Sequence, residues 1–367
     1  MIKTLIIFGT RPEVIKLYPL IDLLKLDKDF EIKILNTGQH KEMVEDLLKI
    51  FKIDPDFSLN IMKEKQTLEY ISIEVMKGVS KILKEEKFDI VIVQGDTTTT
   101  FISSLTSFYH KIPVGHVEAG LRTNNIYYPF PEEINRTLTA KISTLNFAPT
   151  EVAKKNLIKE GIEENKIFVT GNTIVDAVNK ILNFKTKLNL NLPNDKKIIV
   201  VTAHRRESWE NGLSRIGKAI KKLTSNYKDI FFVIPIHKNP VVREKIVPIL
   251  SGVENVLIIE PLNYIDFIHL MKKSFLILSD SGGVQEEVPT FNKPVLLLRN
   301  ETERPEGVYA GFVRIVGTNE DKIVENVKDI IENGWQPKFN YNPFGDGKAS
   351  ERIIKIIKEF FYGSIQS

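Results

Sequence analysis

Ile90-Val91-Ile92-Val93-Gln94-Gly95-Asp96-Thr97-Thr98-Thr99-Thr100 decides the fold. Four apolar residues occupy successive positions, a glycine turn follows, and then comes a polar run that can open a helix. A strand wetted on one face alternates apolar and polar side chains. A strand without that alternation is buried on both faces, as in a parallel sheet covered by helices. The pattern recurs on either side of this stretch. Leu5–Phe8 and Ile32–Leu35 precede it, and Pro113–Val117, Leu145–Ala148 and Ile167–Val169 follow. A second series holds Ile198–Val201, Phe231–Ile234, Val256–Ile259, Phe275–Leu278, Val295–Leu298 and Val313–Val316. Helical patterns lie between, among them Val14–Leu26, Leu68–Glu85, Asn211–Leu223 and Glu320–Glu332. Strands alternating with helices predict right-handed βαβ units and parallel sheets.

The two series are of similar size, and the polar stretch Asn183–Lys197 parts them. The expected class is α/β, with two Rossmann-like doubly wound domains over residues 1–170 and 171–348, joined across 171–196. A last helix, in about 349–367, is free to pack back on the first domain. The 367 residues suit two domains of roughly 100–200 residues each. The chain contains no cysteine, which excludes disulfides, thiolate metal sites and a cysteine nucleophile. The net charge of +4 comes from interleaved charges and makes no case for nucleic acid. No apolar run approaches the ~20 residues of a membrane span. The N-terminus enters a strand at once, without a signal-peptide layout, so a cytoplasmic protein is expected.

In open parallel sheets ligands bind beyond the carboxyl ends of the strands. Here those ends carry the unusual polar residues: Gly9-Thr10-Arg11-Pro12-Glu13, Asn36-Thr37-Gly38-Gln39-His40, Gly95-Asp96-Thr97, His116 with Glu118–Arg122, His204-Arg205-Arg206-Glu207, His237, Asp280-Ser281-Gly282-Gly283 and Glu303-Arg304-Pro305-Glu306. Each has a plain structural reading. Gly-Thr-Arg-Pro makes a strand–helix turn, Asp96 could cap a helix, Ser-Gly-Gly is a tight turn, and His110 and His269 read as structural residues on helices. Together they predict a cleft between two domains, lined by Arg, His and carboxylates, with glycine turns where backbone N–H groups can bind phosphate. The chain lacks a Gly-x-Gly-x-x-Gly turn after its first strand, a P-loop, a His-Glu-x-x-His zinc motif and a Gly-x-Ser-x-Gly elbow. What remains is a site for a polar anion with acid–base groups nearby.

Seven motifs in one order carry a resemblance: Gly9–Glu13, Gly95–Thr100, Gly115–Thr123, Pro129–Arg136, His204–Glu207, Asp280–Gly283 and Thr302–Glu306. Together they closely resemble the non-hydrolysing UDP-N-acetylglucosamine 2-epimerases, from Ile2 to about Ile357. The resemblance implies GT-B architecture, two Rossmann-like domains facing a cleft, and reversible interconversion of UDP-N-acetylglucosamine and UDP-N-acetylmannosamine. The implied route is elimination of UDP to 2-acetamidoglucal and re-addition with a proton on the opposite face. That route needs a base near C2, an acid on the other face and cations on the departing diphosphate.

Position by position, the resemblance implies that Asp96, Glu118 and Glu132 are essential carboxylates and His204 an essential histidine. Arg11 and Lys16 would contact substrate, and His237 would lie near the diphosphate. Ser281, Gly282 and Gly283 would form the phosphate turn, Glu287 would meet the ribose, Phe267 the uracil, and Arg304 the nucleotide or sugar. Gln39, Glu42, Lys65, Glu132 and Arg206 align with a second, activating UDP-N-acetylglucosamine site in related enzymes. No metal and no cofactor is expected, and a homodimer in cell-envelope polysaccharide synthesis is implied. A GT-B glycosyltransferase, a hydrolysing 2-epimerase and a non-catalytic nucleotide-sugar sensor are the competing readings.

Overall fold

The computed structural model describes residues 1–40, 42–185 and 188–363. The chain divides into two compact units: Met1–Ala177 together with the chain from Phe344 on, and Val178–Pro343.

The first unit is built on strands β1 (Ile2–Phe8), β2 (Phe30–Asn36), β3 (Phe57–Ser58), β4 (Ile90–Gln94), β5 (Val114–Val117), β6 (Leu145–Ala148) and β7 (Ile167–Val169). They form one parallel sheet in the order β3-β2-β1-β4-β5-β6-β7. Leu5 to Phe8 and Ile90 to Val93 are at most 1% exposed, so consecutive side chains of each run are buried on opposite faces. The helix Leu68–Glu85 sends Ile71, Val75, Val79 and Ile82 down one stripe into this core. The last helix, Ala349–Tyr362, belongs to this unit and packs on the helix Arg11–Leu24. Asp176 accepts from its first backbone N–H groups, at Ala349 (3.2 Å) and Ser350 (2.8 Å), and Lys358 pairs with Asp27 and Asp29.

The second unit holds β8 (Lys197–Thr202), β9 (Ile230–Pro235), β10 (Val256–Ile259), β11 (Leu276–Ser279), β12 (Val295–Leu297) and β13 (Val313–Ile315), in the parallel order β10-β9-β8-β11-β12-β13. The helices Gly212–Asn226 and Glu320–Asn333 pack Leu213, Ile216, Ile220, Ile323 and Val327 into its core.

All twelve apolar runs are strands, and the helical patterns are helices to within about three residues at each end. β3 was not foreseen. Both sheets share one winding: the chain builds outward in one direction, then returns to the first strand and builds the other way. This places a topological switch point between β1 and β4 and another between β8 and β11, where the connections diverge and leave room for a ligand. Among the described residues, no helix is long and apolar enough to cross a membrane.

Candidate active site

At the first switch point, β1 ends in Gly9-Thr10 and the helix Arg11–Leu24 begins. A Cβ on Gly9 would stand 2.1 Å from Thr37 Oγ1 and 2.7 Å from Thr99 Oγ1. Only glycine lets this turn lie against the turns after β2 and β4. Glu13 fastens it to the turn after β4: Oε2 accepts from the Gly9 and Thr10 N–H groups (3.0 and 2.7 Å), and Oε1 accepts from Thr97 and Thr100 hydroxyls (2.8 Å each). Burial pushes its pKa up, against the pull of these donors. Thr97, not Asp96, caps the helix Thr98–Tyr109, its hydroxyl accepting from Thr100 N–H at 3.1 Å. The Asp96 side chain is therefore not used as a cap.

Asp96 instead accepts from the Arg136 guanidinium, and its carbonyl accepts from Asn135 Nδ2 at 3.0 Å. Arg136 also reaches Glu133 Oε2 at 3.3 Å, and Glu133 Oε1 accepts from the Thr123 and Asn124 N–H groups. The turns after β4 and β5 are thus tied through one arginine. Glu118, at the end of β5, is buried in a left-handed conformation, φ 68°. Its Oε2 contacts the Lys16 ammonium and accepts from Gln94 Nε2 at 2.9 Å. Beneath it His116, wholly buried, meets the Gly95 carbonyl through Nε2 at 2.8 Å. Burial lowers the His116 pKa to about 4, so the ring is neutral at pH 7 and Nε2 carries the proton it donates. Glu132 opens the helix Glu132–Ile142 and is half-buried, as is Arg11.

Two carboxylates of unlike surroundings result: Glu118, enclosed beside a lysine, and Asp96, partly open beside an arginine.

At the second switch point, His204 follows β8, and Asp280 and Ser281 follow β11. Fully buried Asp280 accepts from the backbone N–H groups of His204 and Arg205 through Oδ2, at 2.7 Å each. His204 Nδ1 stands 3.3 Å from Asp280 Oδ1. The His237 ring, after β9, stacks on that of His204, with centroids 5.3 Å apart and planes 13° from parallel. Burial, and after it the neighbouring His204, lowers the His237 pKa. Ser281 precedes the short helix Gly282–Glu287. A Cβ on Gly282 would lie 2.8 Å from an Arg304 terminal nitrogen. Arg304 bonds Glu286 through Nε and lies 2.6 Å from Glu303 Oε1. Burial pushes Glu303 up, but Arg304 and Arg299 outweigh it and hold its pKa at about 2. Glu287, buried, accepts from the Tyr264 hydroxyl at 2.8 Å. Phe267 is half-buried on the helix Tyr264–Lys273.

Within the first unit, Lys16 and Glu118 are in direct contact, and Asp96 lies on the neighbouring turn. Within the second, His204 and His237 meet, as do Gly282 and Arg304. Gln39 is buried on the turn after β2, with Oε1 accepting from Thr99. Lys65 is exposed, with φ 52°. The side chains of Glu42 and Arg206 lie outside the described residues. Sequence reasoning missed the supporting residues Glu13, Gln94, Arg136, Asp280 and Tyr264. Glu13, Arg136 and Asp280 stood in the quoted motifs; their signal was a charged residue beside the end of a buried strand or the start of a helix.

Comparison with known proteins places the chain. The model of the UDP-N-acetylglucosamine 2-epimerase family matches residues 23–358. The UDP-N-acetylglucosamine 2-epimerase of Escherichia coli (strain K12) is 47% identical, over 97% of this chain and 98% of that protein. The crystal structure of the Neisseria meningitidis UDP-GlcNAc 2-epimerase bound to UDP-GlcNAc superposes with a TM-score of 0.90 at 45% identity, over 98% of this chain and 100% of the other. The Methanocaldococcus jannaschii enzyme in complex with UDP-GlcNAc and UDP gives 0.81 at 38%, over 97% and 99%. Motifs, fold and near-full-length similarity agree, and the chain belongs to the UDP-N-acetylglucosamine 2-epimerase family.

Proposed function

We propose that the protein interconverts UDP-N-acetylglucosamine and UDP-N-acetylmannosamine without net hydrolysis. C2 of the sugar has no adjacent carbonyl to stabilise a carbanion, so simple deprotonation is too costly. Elimination avoids it: the C2 proton leaves to a base as the C1–O bond breaks, giving 2-acetamidoglucal and UDP. UDP then adds back to C1 while an acid protonates C2 from the other face. The observation that carries the reading is the pair of carboxylates at the ends of β4 and β5, Asp96 beside Arg136 and Glu118 beside Lys16. These supply candidate base and acid, with Glu132 as a third carboxylate. Arg11 and Lys16 bring positive charge to the first unit's part of the chemistry. In the second unit His204, His237 and the Ser281-Gly282-Gly283 turn serve the diphosphate, Glu287 the ribose, Phe267 the uracil and Arg304 the nucleotide or sugar.

The same reading makes the protein a cytoplasmic homodimer that supplies N-acetylmannosamine units for cell-envelope polysaccharide. It also assigns Gln39, Glu42, Lys65, Glu132 and Arg206 to a second UDP-N-acetylglucosamine site that activates turnover. Strictly hyperbolic kinetics, with full turnover of UDP-N-acetylmannosamine alone, would remove that second site.

The test of the activity is incubation of purified protein with UDP-N-acetylglucosamine, followed by proton and phosphorus NMR. A UDP-N-acetylmannosamine signal at a constant nucleotide-sugar total is expected. Free N-acetylmannosamine with stoichiometric UDP would make it a hydrolysing enzyme, and turnover only with an acceptor would make it a transferase.

A further inference from the structure

Asp280 has a feature that anion binding by its neighbours does not explain. Oδ2 is satisfied by two backbone N–H groups, which pin the carboxylate in place. Oδ1 is also out of reach of water and has no hydrogen bond of good geometry. A buried carboxylate oxygen left without a donor costs more than the bond it lacks. His204 Nδ1, at 3.3 Å, can be that donor if it carries a proton. The stacked His237 is already committed: its Nδ1 accepts from the Asn239 N–H at 3.1 Å, so its neutral ring is protonated at Nε2. Of the other charged groups, Arg205 adjoins His204 in the chain, Lys238 adjoins His237, and the charge of Arg243 acts on His237.

We propose, resting on the epimerase reading above, that Asp280 is a positioning residue that holds His204 as the Nδ1–H tautomer. Nε2 is then the nitrogen offered on a ring that is 38% exposed, and it is the atom that meets the anionic leaving group. The pinned carboxylate sets the orientation of the ring as well as its tautomer. When Nε2 takes up a proton from solvent, which reaches the exposed side of the ring, the imidazolium lies between Asp280 and the departing diphosphate, and the Nδ1 proton stays where it was. Without Asp280 the neutral ring is free to carry its proton on Nε2, and a further protonation leaves the cation unmatched on its buried side.

The test uses the full chain labelled with 15N-histidine, in which there are six histidines. The His204 signal is identified by its loss in His204→Gln. In the neutral ring of the wild-type protein, the nitrogen shifts should report Nδ1–H. Asp280→Asn can still accept both backbone N–H groups through its oxygen but turns an N–H towards the ring. It should convert His204 to Nε2–H and lower kcat about 100-fold, with KM within about threefold. An Nε2–H tautomer in the wild-type protein overturns the proposal whatever Asp280→Asn does. So does an Asp280→Asn protein whose kcat stays within about threefold of wild type. Absence of any turnover by the wild-type protein would defeat the epimerase reading instead, and the tautomer would still decide what Asp280 does.

Discussion

Glu118 holds a backbone conformation, φ 68°, that side chains other than glycine, asparagine and aspartate seldom adopt. Its contacts with Lys16 and Gln94 keep it there, and strain of this kind gathers where a side chain must be aimed. Asp96→Asn, Glu118→Gln and His204→Asn should each lower kcat by roughly 10²–10⁴-fold with circular dichroism unchanged. Near-wild-type turnover would remove the residue from the reaction. His116 makes a different prediction, one of stability. Its folded pKa of about 4 lies below the ordinary 6.5. Between those values the unfolded chain binds more protons than the folded one, so this contribution is fully present above pH 6.5 and is lost as pH falls towards 4. The shift corresponds to roughly 3 kcal/mol. In urea titrations at pH 7.5 and pH 4, His116→Gln should lose less stability on acidification than wild type, by an amount of this order. Equal losses would contradict the neutral, buried imidazole.

At the scale of elements, the turns at the carboxyl ends of the strands depend on close backbone approach. Gly120, with φ 95°, would place a Cβ 2.4 Å from the Ala153 carbonyl oxygen in the helix Glu151–Lys159. Gly120→Ala should cost about 2–4 kcal/mol, read as a lowered urea midpoint. The strands themselves were legible because two-sided burial writes itself as an uninterrupted apolar run. β3, two residues at the sheet edge with only Phe57 apolar, leaves no such run. The strand-end positions of the candidate residues were legible, since the α/β winding fixes where those ends gather. Its pairings were not. Lys16 meets Glu118 across 102 positions, and Glu13 meets Thr97 across 84, so which carboxylate faces which donor appears only when the sheet order is known.

On the scale of the whole molecule, the chain leaves the first unit, builds the second and returns to the first with its last helix. Ile353, Ile354 and Ile357 are buried there, and burying each is worth ~1.5–3 kcal/mol. Their sum is comparable with the ~5–15 kcal/mol that stabilises a typical folded protein. Removing the chain from Ala349 onward should therefore prevent the first unit from folding stably, seen as loss of its cooperative thermal transition. An unchanged melting profile would show the helix to be dispensable. The central claim concerns the bond broken at C2, and it is tested most directly by turnover of UDP-N-acetylglucosamine in heavy water with NMR at that carbon. The account predicts deuterium at C2 of the UDP-N-acetylmannosamine formed and, as the reaction reverses, of the recovered substrate. UDP-N-acetylmannosamine that keeps its original C2 proton through many turnovers would contradict it.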